Sequence, residues 1–301
     1  MAMNWGVFRT RALTALLFVA VMSAGLFTNL QLFFLLFTII HFGCWYEYQK
    51  LMVILYPQYE TISSFHRYGV RIAGWAGMLL ATSDQIALWN ISLAAVGFWI
   101  LLLFAFILPI AEILFTKELN AKNALVSLIG LVYISLSFSL IIHLRSGAIW
   151  LSDQPGDGLN SFFDSFTAVI GGFYIPIMMI ASIWMNDTFA YIVGSFIGKT
   201  PLSAISPKKT WEGTIGGVLL CVGIMTYVGF TQHAWPDYLL IAFISSIAGT
   251  FGDLFESKLK RMAGVKDSGH FMPGHGGFLD RFDSLLFAIP CVWLYVFLFM
   301  R

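Results

Sequence analysis

Three short stretches of the sequence collect the oxygen and cationic side chains that phosphate chemistry needs. The first is WMNDTFAYIVGSFIGKTPLSAISPKKTWEGTIGG (184–217), with Asn186 and Asp187 at one end and Ser206, Lys208, Lys209, Thr210 and Glu212 close together at the other. Lysines and hydroxyls suit phosphate oxygens, as point charges and hydrogen-bond donors. The second is GDLFESKLKR (252–261), where Asp253 and Ser257 stand four apart and share a helix face, with Lys260 nearby. The third, PGHGGFLDRFDSL (273–285), ends in Asp280, Arg281 and Asp283. Its aspartates face the same way if a helix begins near Leu279.

One carboxylate and one hydroxyl on a helix face can hold a hard cation. Ligands that are all oxygen point to Mg²⁺ rather than zinc, which would need more His or Cys than these loops offer. Gly274, Gly276 and Gly277 let the backbone approach an anion closely. His275 fits a ligand, a phosphate donor or a turn residue, and the sequence leaves these open. Each stretch also has an ordinary reading: a solvated basic loop, i,i+4 charge pairing on a helix end, an Asp–Arg–Asp salt bridge. Taken together they form the equipment for metal-assisted phosphoryl or nucleotidyl transfer, where catalysis is mostly positioning and charge neutralisation.

The elements that must position these residues are hydrophobic. Of 301 residues 58% are hydrophobic and only 11% charged, against about a quarter charged in a soluble domain. Backbone groups in lipid must be satisfied within the spanning segment, and the long apolar runs exclude the alternating strands of a barrel. The expected fold is therefore all-α, a polytopic membrane protein. Apolar runs of roughly 20 residues predict about nine spans, at 11–28, 30–46, 69–83, 88–108, 123–143, 166–185, 213–230, 237–253 and 284–300. The segment after Asn186 reads as a continuation or a re-entrant piece.

With the amino terminus in the cytoplasm, every Lys and Arg except Arg145 and Arg301 falls on the inner side, the bias that sets orientation. All three polar stretches then share the cytoplasmic face. A formal net charge of +1 suggests no nucleic-acid partner. Cys44, Cys221 and Cys291 lie in apolar runs without metal-type spacing and read as buried free thiols. Arg9 and Arg11 before an apolar run mimic a signal peptide, but the further spans favour an uncleaved first helix. The halves differ: 1–165 reads as a helical scaffold, and 166–301 as the catalytic half of one membrane domain. The stretch 145–165 reads as a long outer loop.

The run SKLKRMAGVKDSGHFMPGHGGFLDRFD (257–283) resembles the signature of the phosphatidate cytidylyltransferases, or CDP-diacylglycerol synthases. Its fixed positions are filled by Ser257, Lys260, Arg261, Lys266, Asp267, Gly269, Pro273, His275, Gly276, Gly277, Asp280, Arg281 and Asp283. SPKKTWEG and the preceding Asn186–Asp187 are similar to the family too, so the likeness covers about residues 180–290.

The resemblance implies that CTP and phosphatidic acid give CDP-diacylglycerol and pyrophosphate. It implies a divalent metal, with Mg²⁺ or a paired centre including a second cation at Asp253, Asp280 and Asp283 and Ser257 beside them. It implies a homodimer formed through membrane helices, for which Gly213 and Gly217 offer a weak G-x-x-x-G. On this reading Asp253, Asp280, Asp283, Lys260 and Arg281 carry the chemistry. Asn186, Asp187, Ser206, Lys208, Lys209, Thr210, Lys258, Arg261, Lys266, His275, Gly276 and Gly277 bind substrate. The expected location is a bacterial inner membrane, with the amino terminus and site cytoplasmic. Competing readings are a CTP-dependent polyprenol kinase, an inert lipid-binding homologue and a transporter. Transporters usually place ionisable residues at mid-membrane, whereas these cluster at one face.

Overall fold

A computed structural model describes residues 5–83, 85–115, 120–147, 159–232, 234–271 and 276–300. The described chain is helical apart from a hairpin that pairs Ala87–Leu88 with Ile91–Ser92. Its helices are α1 (Trp5–Leu26), α2 (Leu30–Leu55), α3 (Ser64–Leu80), α4 (Leu93–Phe115), α5 (Ala121–Gly130), α6 (Ser137–Ser146), α7 (Leu159–Ile197), α8 (Trp211–Thr231), α9 (Trp235–Met262) and α10 (Leu279–Phe299). A π-helical turn, Leu131–Leu136, joins α5 to α6, so 121–146 runs as one rod. Among the described residues, seven helical segments are long and apolar enough to cross a membrane. Of the other two expected segments, the first overlaps α1, which has 22 residues, and α3 has 17 residues. The protein is an all-α, polytopic membrane protein.

The helix expected over 166–185 does not stop at Asn186. It continues unbroken to Ile197, so Asn186 and Asp187 lie within a helix rather than at its end. NDTFAYIVGSFI contains no proline, and its one glycine, Gly194, is tolerated within the helix, which ends before the Gly198–Thr210 loop with Pro201 and Pro207. Two other expectations hold: α9 extends as a helix through Lys260, and α10 begins at Leu279. Most of the expected outer loop lies outside the described residues, and so does His275.

The chain divides into two compact units, 1–142 with 262–282 and 143–261 with 283–301. In the first, Phe33, Phe37, Trp45, Tyr48, Tyr59 and Phe138 are buried, and several polar groups among them are paired. Ser135, on the π-turn, meets His41 Nε2 at 2.9 Å and accepts from Trp45 Nε1 at 2.8 Å. Ser127 meets His66 Nε2 and the Tyr59 hydroxyl, each at 2.8 Å. Pairing of this kind is what an apolar surround demands of buried polar groups.

In the second unit, small residues bring helices together. A Cβ on Gly213 would lie 2.6 Å from the Ala190 carbonyl, and one on Gly217 would lie 2.8 Å from the Asn186 carbonyl. The G-x-x-x-G pair thus seats α8 on α7 within one chain. A Cβ on Gly252 would lie 2.5 Å from the Asp283 carbonyl, so α9 and α10 touch almost backbone to backbone there. Large apolar side chains such as Phe106, Tyr191, Phe196 and Leu219 are exposed, as lipid-facing side chains are. Cys44 and Cys221 are buried as expected, but Cys291 is exposed on α10. Its position in an apolar run reflects lipid contact rather than core packing.

Gly252→Ala should lower the thermal midpoint in detergent, since overpacking typically costs about 1–3 kcal/mol and here a carbonyl cannot move aside. Gly223 is the control. Nothing lies within 4 Å of a Cβ there, so Gly223→Ala should leave the midpoint unchanged or raise it, through helix propensity of up to about 1 kcal/mol.

Candidate active site

In the unit formed by 143–261 and 283–301, the loop between α7 and α8 is closed by its own sequence. Glu212, in the first turn of α8, accepts from the backbone N–H groups of Lys199 and Thr200 at 3.2 Å. Thr210 caps α8, its hydroxyl oxygen accepting from Gly213 N at 3.1 Å. Leu202 N donates to the Lys209 carbonyl at 2.7 Å, and Lys209 N donates to the Ser206 carbonyl at 3.0 Å. The folded-back loop fixes the Lys209 backbone, and its ammonium pairs with Asp253 Oδ2 on α9.

Lys209 and its neighbour differ in consequence. Lys209 is partly buried in the ion pair, whereas Lys208 is exposed. The Thr210 hydroxyl works as a helix cap, and Ser206 contributes its carbonyl to the turn. Asp187 keeps an exposed side chain within electrostatic range of Lys209 and Asp253. Beside it Asn186 is buried, its amide nitrogen 3.5 Å from the Thr250 hydroxyl. Its side-chain oxygen is buried without a hydrogen-bond partner.

Asp253 has a second acidic neighbour. Asp283, on α10, is buried and within hydrogen-bonding reach of the Asp253 carboxyl. Its Oδ1 accepts from Ser284 N at 2.6 Å. The close approach of helices at Gly252 accounts for this: with no side chain between them, α9 and α10 bring residues 253 and 283 side by side. Two carboxylates held together, one of them buried, repel unless a cation joins them. Lys209 supplies one positive charge and Lys260 lies within electrostatic range. Lys260 is itself paired with Glu256, one turn earlier and fully buried. Ser257 lies one turn beyond Asp253 on the same helix, while Lys258 and Arg261 are exposed.

In the unit formed by 1–142 and 262–282, Asp280 is occupied by its own loop. Its Oδ2 accepts from Ser268 N at 2.9 Å, the Ser268 hydroxyl at 2.9 Å and Gly277 N at 2.8 Å. Gly276 takes a left-handed φ of +84° with Asp280 Oδ2 against it, which only a glycine adopts easily. Lys266, Asp267 and Arg281 are exposed. Asp280 and Asp283 thus start one helix but keep different partners, Asp280 in the glycine-rich loop and Asp283 beside Asp253.

Two acids contribute here without having been singled out in the sequence. Glu256 was legible as an i,i+4 partner of Lys260. Glu47 lies on α2 among apolar residues, yet its carboxylate accepts from the Ser268 hydroxyl, Phe278 N and Leu279 N at 2.9, 3.0 and 2.8 Å. The available signal was one acid inside an apolar helix.

Among the described residues, no group of three or more His, Cys, Asp or Glu side chains is gathered closely enough to hold a metal ion. The Asp253–Asp283 pair nevertheless suits Mg²⁺, which is often held by one or two carboxylates and completes its shell with water and substrate phosphate.

Comparison with known proteins identifies the family. The sequence profile of the cytidylyltransferase family matches residues 9–299. The chain is 46% identical over 121 residues to phosphatidate cytidylyltransferase 4, chloroplastic, of Arabidopsis thaliana, covering 39% of this chain and 31% of that protein. It is 45% identical over 135 residues to a phosphatidate cytidylyltransferase of Synechocystis, covering 43% of this chain and 45% of the relative. A Staphylococcus haemolyticus protein of the same name is 37% identical over 196 residues, 63% of this chain and 65% of the relative. The match spans less than two thirds of each relative's length. Because the profile runs almost from end to end, the chain belongs to the cytidylyltransferase family.

Proposed function

We propose that this protein is a phosphatidate cytidylyltransferase, condensing CTP with phosphatidic acid to give CDP-diacylglycerol and pyrophosphate. The observation that carries the reading is the pairing of buried Asp283 with the partly exposed Asp253, which meets Lys209. The three residues come from three separate segments, and they form a focus for a phosphate and its counter-ions. Membership of the family and the names of its relatives favour cytidylyl transfer over other phosphate chemistry.

In the reaction, an oxygen of the lipid phosphate attacks the α-phosphorus of CTP. A new P–O bond forms as the α–β bridging bond breaks, and its electron pair leaves with pyrophosphate. The lipid phosphate is already ionised near neutral pH, so no strong general base is required. Lys209, held by the 198–210 loop, is placed to balance charge on the triphosphate, and Lys260 and Arg261 extend the cationic field along α9. Exposed Lys208, Lys258, Lys266 and Arg281 supply longer-range attraction for an anionic nucleotide. Asp253 and Asp283, with Ser257 one turn away, are the residues of their unit that would hold Mg²⁺, alone or with a second cation; the resemblance adds Asp280 to the ligand set, and its Oδ2 is engaged by its own loop. When bound, the metal supplies positive charge against the α-phosphate and the leaving group. Asn186 and Asp187 line the same part of α7, where the unpaired Asn186 oxygen is available to a substrate donor.

The same reading places the amino terminus and the site on the cytoplasmic side of a bacterial inner membrane, because the Lys and Arg of the short loops gather there. CTP then arrives from water while the acyl chains of phosphatidate stay in lipid. A homodimer would use helix faces other than Gly213 and Gly217, which are spent on α7. No nucleic-acid partner belongs to the reading.

Purified protein supplied with [α-³²P]CTP, phosphatidate and Mg²⁺ should place label in chloroform-extractable lipid and release unlabelled pyrophosphate. Release of labelled CDP, with no label in lipid, would instead indicate γ-phosphoryl transfer and contradict the proposal. Asp253→Asn should reduce turnover by about 10²-fold or more, as loss of a preorganised charged group in a transfer site does. Near-normal turnover would remove Asp253 from the site. Lys209→Gln should impair CTP use far more than Lys208→Gln, and equal effects would remove the ion pair from the mechanism.

A further inference from the structure

One buried acid has no part in the scheme above. Glu47 is 3% exposed, and its side chain is fully engaged by a segment more than two hundred residues away. Oε1 accepts from Phe278 N at 3.0 Å, and Oε2 accepts from Leu279 N at 2.8 Å and from the Ser268 hydroxyl at 2.9 Å. Phe278 and Leu279 open α10, so their N–H groups have no partner within the helix, and the positive end of the helix favours an anion there. Glu47 thus caps α10 from another helix.

The glycines of the segment show how closely it is fitted to this carboxylate. A Cβ on Gly269 would lie 2.1 Å from Glu47 Oε1, and one on Gly277 would lie 2.2 Å from both oxygens. Any larger residue would occupy the space the carboxylate fills. Phe278 in turn lies against α2 at Gly43, where a Cβ would come within 2.4 Å of its ring. Contact with Asp280 runs through Ser268, whose hydroxyl is 2.9 Å from Glu47 Oε2 and 2.9 Å from Asp280 Oδ2.

We propose that Glu47 is a positioning residue for the transfer reaction: it fixes Ser268–Gly269 and Gly277–Asp280 in place and, through Ser268, sets the orientation of the Asp280 carboxylate. The proposal rests on the cytidylyltransferase reading, because Asp280 matters to turnover only if that segment serves the reaction. Glu47 touches no substrate in this account and acts only through the segment it holds. Glutamine at the same position keeps the volume but replaces one acceptor oxygen by an amide N–H₂, which faces the Phe278 N–H in one orientation and the Leu279 N–H in the other, so at least one contact is lost.

The test compares wild type, Glu47→Gln and Glu47→Asp in detergent. It measures kcat and KM for CTP, the thermal midpoint, and amide hydrogen exchange of peptides covering 276–282. In Glu47→Gln, kcat should fall by about 10–100-fold while KM for CTP changes by less than about threefold, the pattern of misplacement rather than lost binding. Exchange should quicken in the 276–282 peptides and not in those of α8. Glu47→Asp, which keeps the charge on a shorter stem, should recover part of the lost kcat.

Unchanged kcat in a folded Glu47→Gln protein would overturn the assignment. So would an activity loss that merely follows the folded fraction, equal in both variants and without selective exchange at 276–282. A wild-type protein with no transfer activity would overturn the underlying reading instead, and the exchange measurement tells that failure from the first.

Discussion

A carboxylate surrounded by helices in an apolar membrane domain must be met by donors or cations, and this requirement organises the chemistry-bearing part of the protein. Several kcal/mol stand against each buried charge that lacks compensation. Glu47 is met by two backbone N–H groups and a hydroxyl. Asp280 is met by two N–H groups, with the same hydroxyl, whose single proton it shares with Glu47, 2.9 Å away. Glu256 is met by Lys260. Asp253 and Asp283 differ, because they are placed against each other with Lys209 on one of them. Two negative groups facing one lysine leave an electrostatic demand that further positive charge would satisfy, whereas the Glu47 carboxylate is already met by donors of the segment it holds.

Close helix packing creates that pair. Gly252 lets the α9 backbone approach the Asp283 carbonyl, and Gly213 and Gly217 do the same for α8 on α7. The small residues therefore set the distances between polar side chains on neighbouring helices. The loop from Gly198 to Thr210 adds the lysine, and its form is fixed locally by Glu212 on the backbone of Lys199 and Thr200. The lipid-facing sides show the opposite composition, with large exposed apolar residues such as Phe196 and Leu219. One set of helices thus offers a polar focus inward and hydrocarbon outward, the arrangement that the proposed transfer between a water-soluble nucleotide and a lipid would use.

Much of this was legible in the sequence. Composition and apolar run length showed a helical membrane protein, and the spacing of Asp253, Ser257, Asp280 and Asp283 singled out the polar residues. The start of α10 near Leu279 was anticipated, and α8 begins at Trp211, two residues before the expected span. Other features depend on distant contacts and could not be read. Glu47 finds its partners 221 to 232 residues away, and nothing local sets it apart except its charge. The i,i+3 spacing of Asp280 and Asp283 suggested a shared task, but spacing could not show that Ser268 and Gly277 claim one oxygen of Asp280. The G-x-x-x-G of α8 suggested contact with a second copy, whereas α7 of the same chain fills it. Residues 186–197 continue a helix because no breaker precedes Gly198, an outcome that hydropathy alone left open.

The central claim is that Lys209 and Asp253 act as one charged unit in the transfer site. A double-mutant cycle tests it most directly, with kcat/KM for CTP measured in wild type, Lys209→Met, Asp253→Asn and the double variant. The account predicts strong non-additivity, the double variant being little worse than the weaker single variant, because either change already breaks the unit. Losses that multiply independently would contradict it.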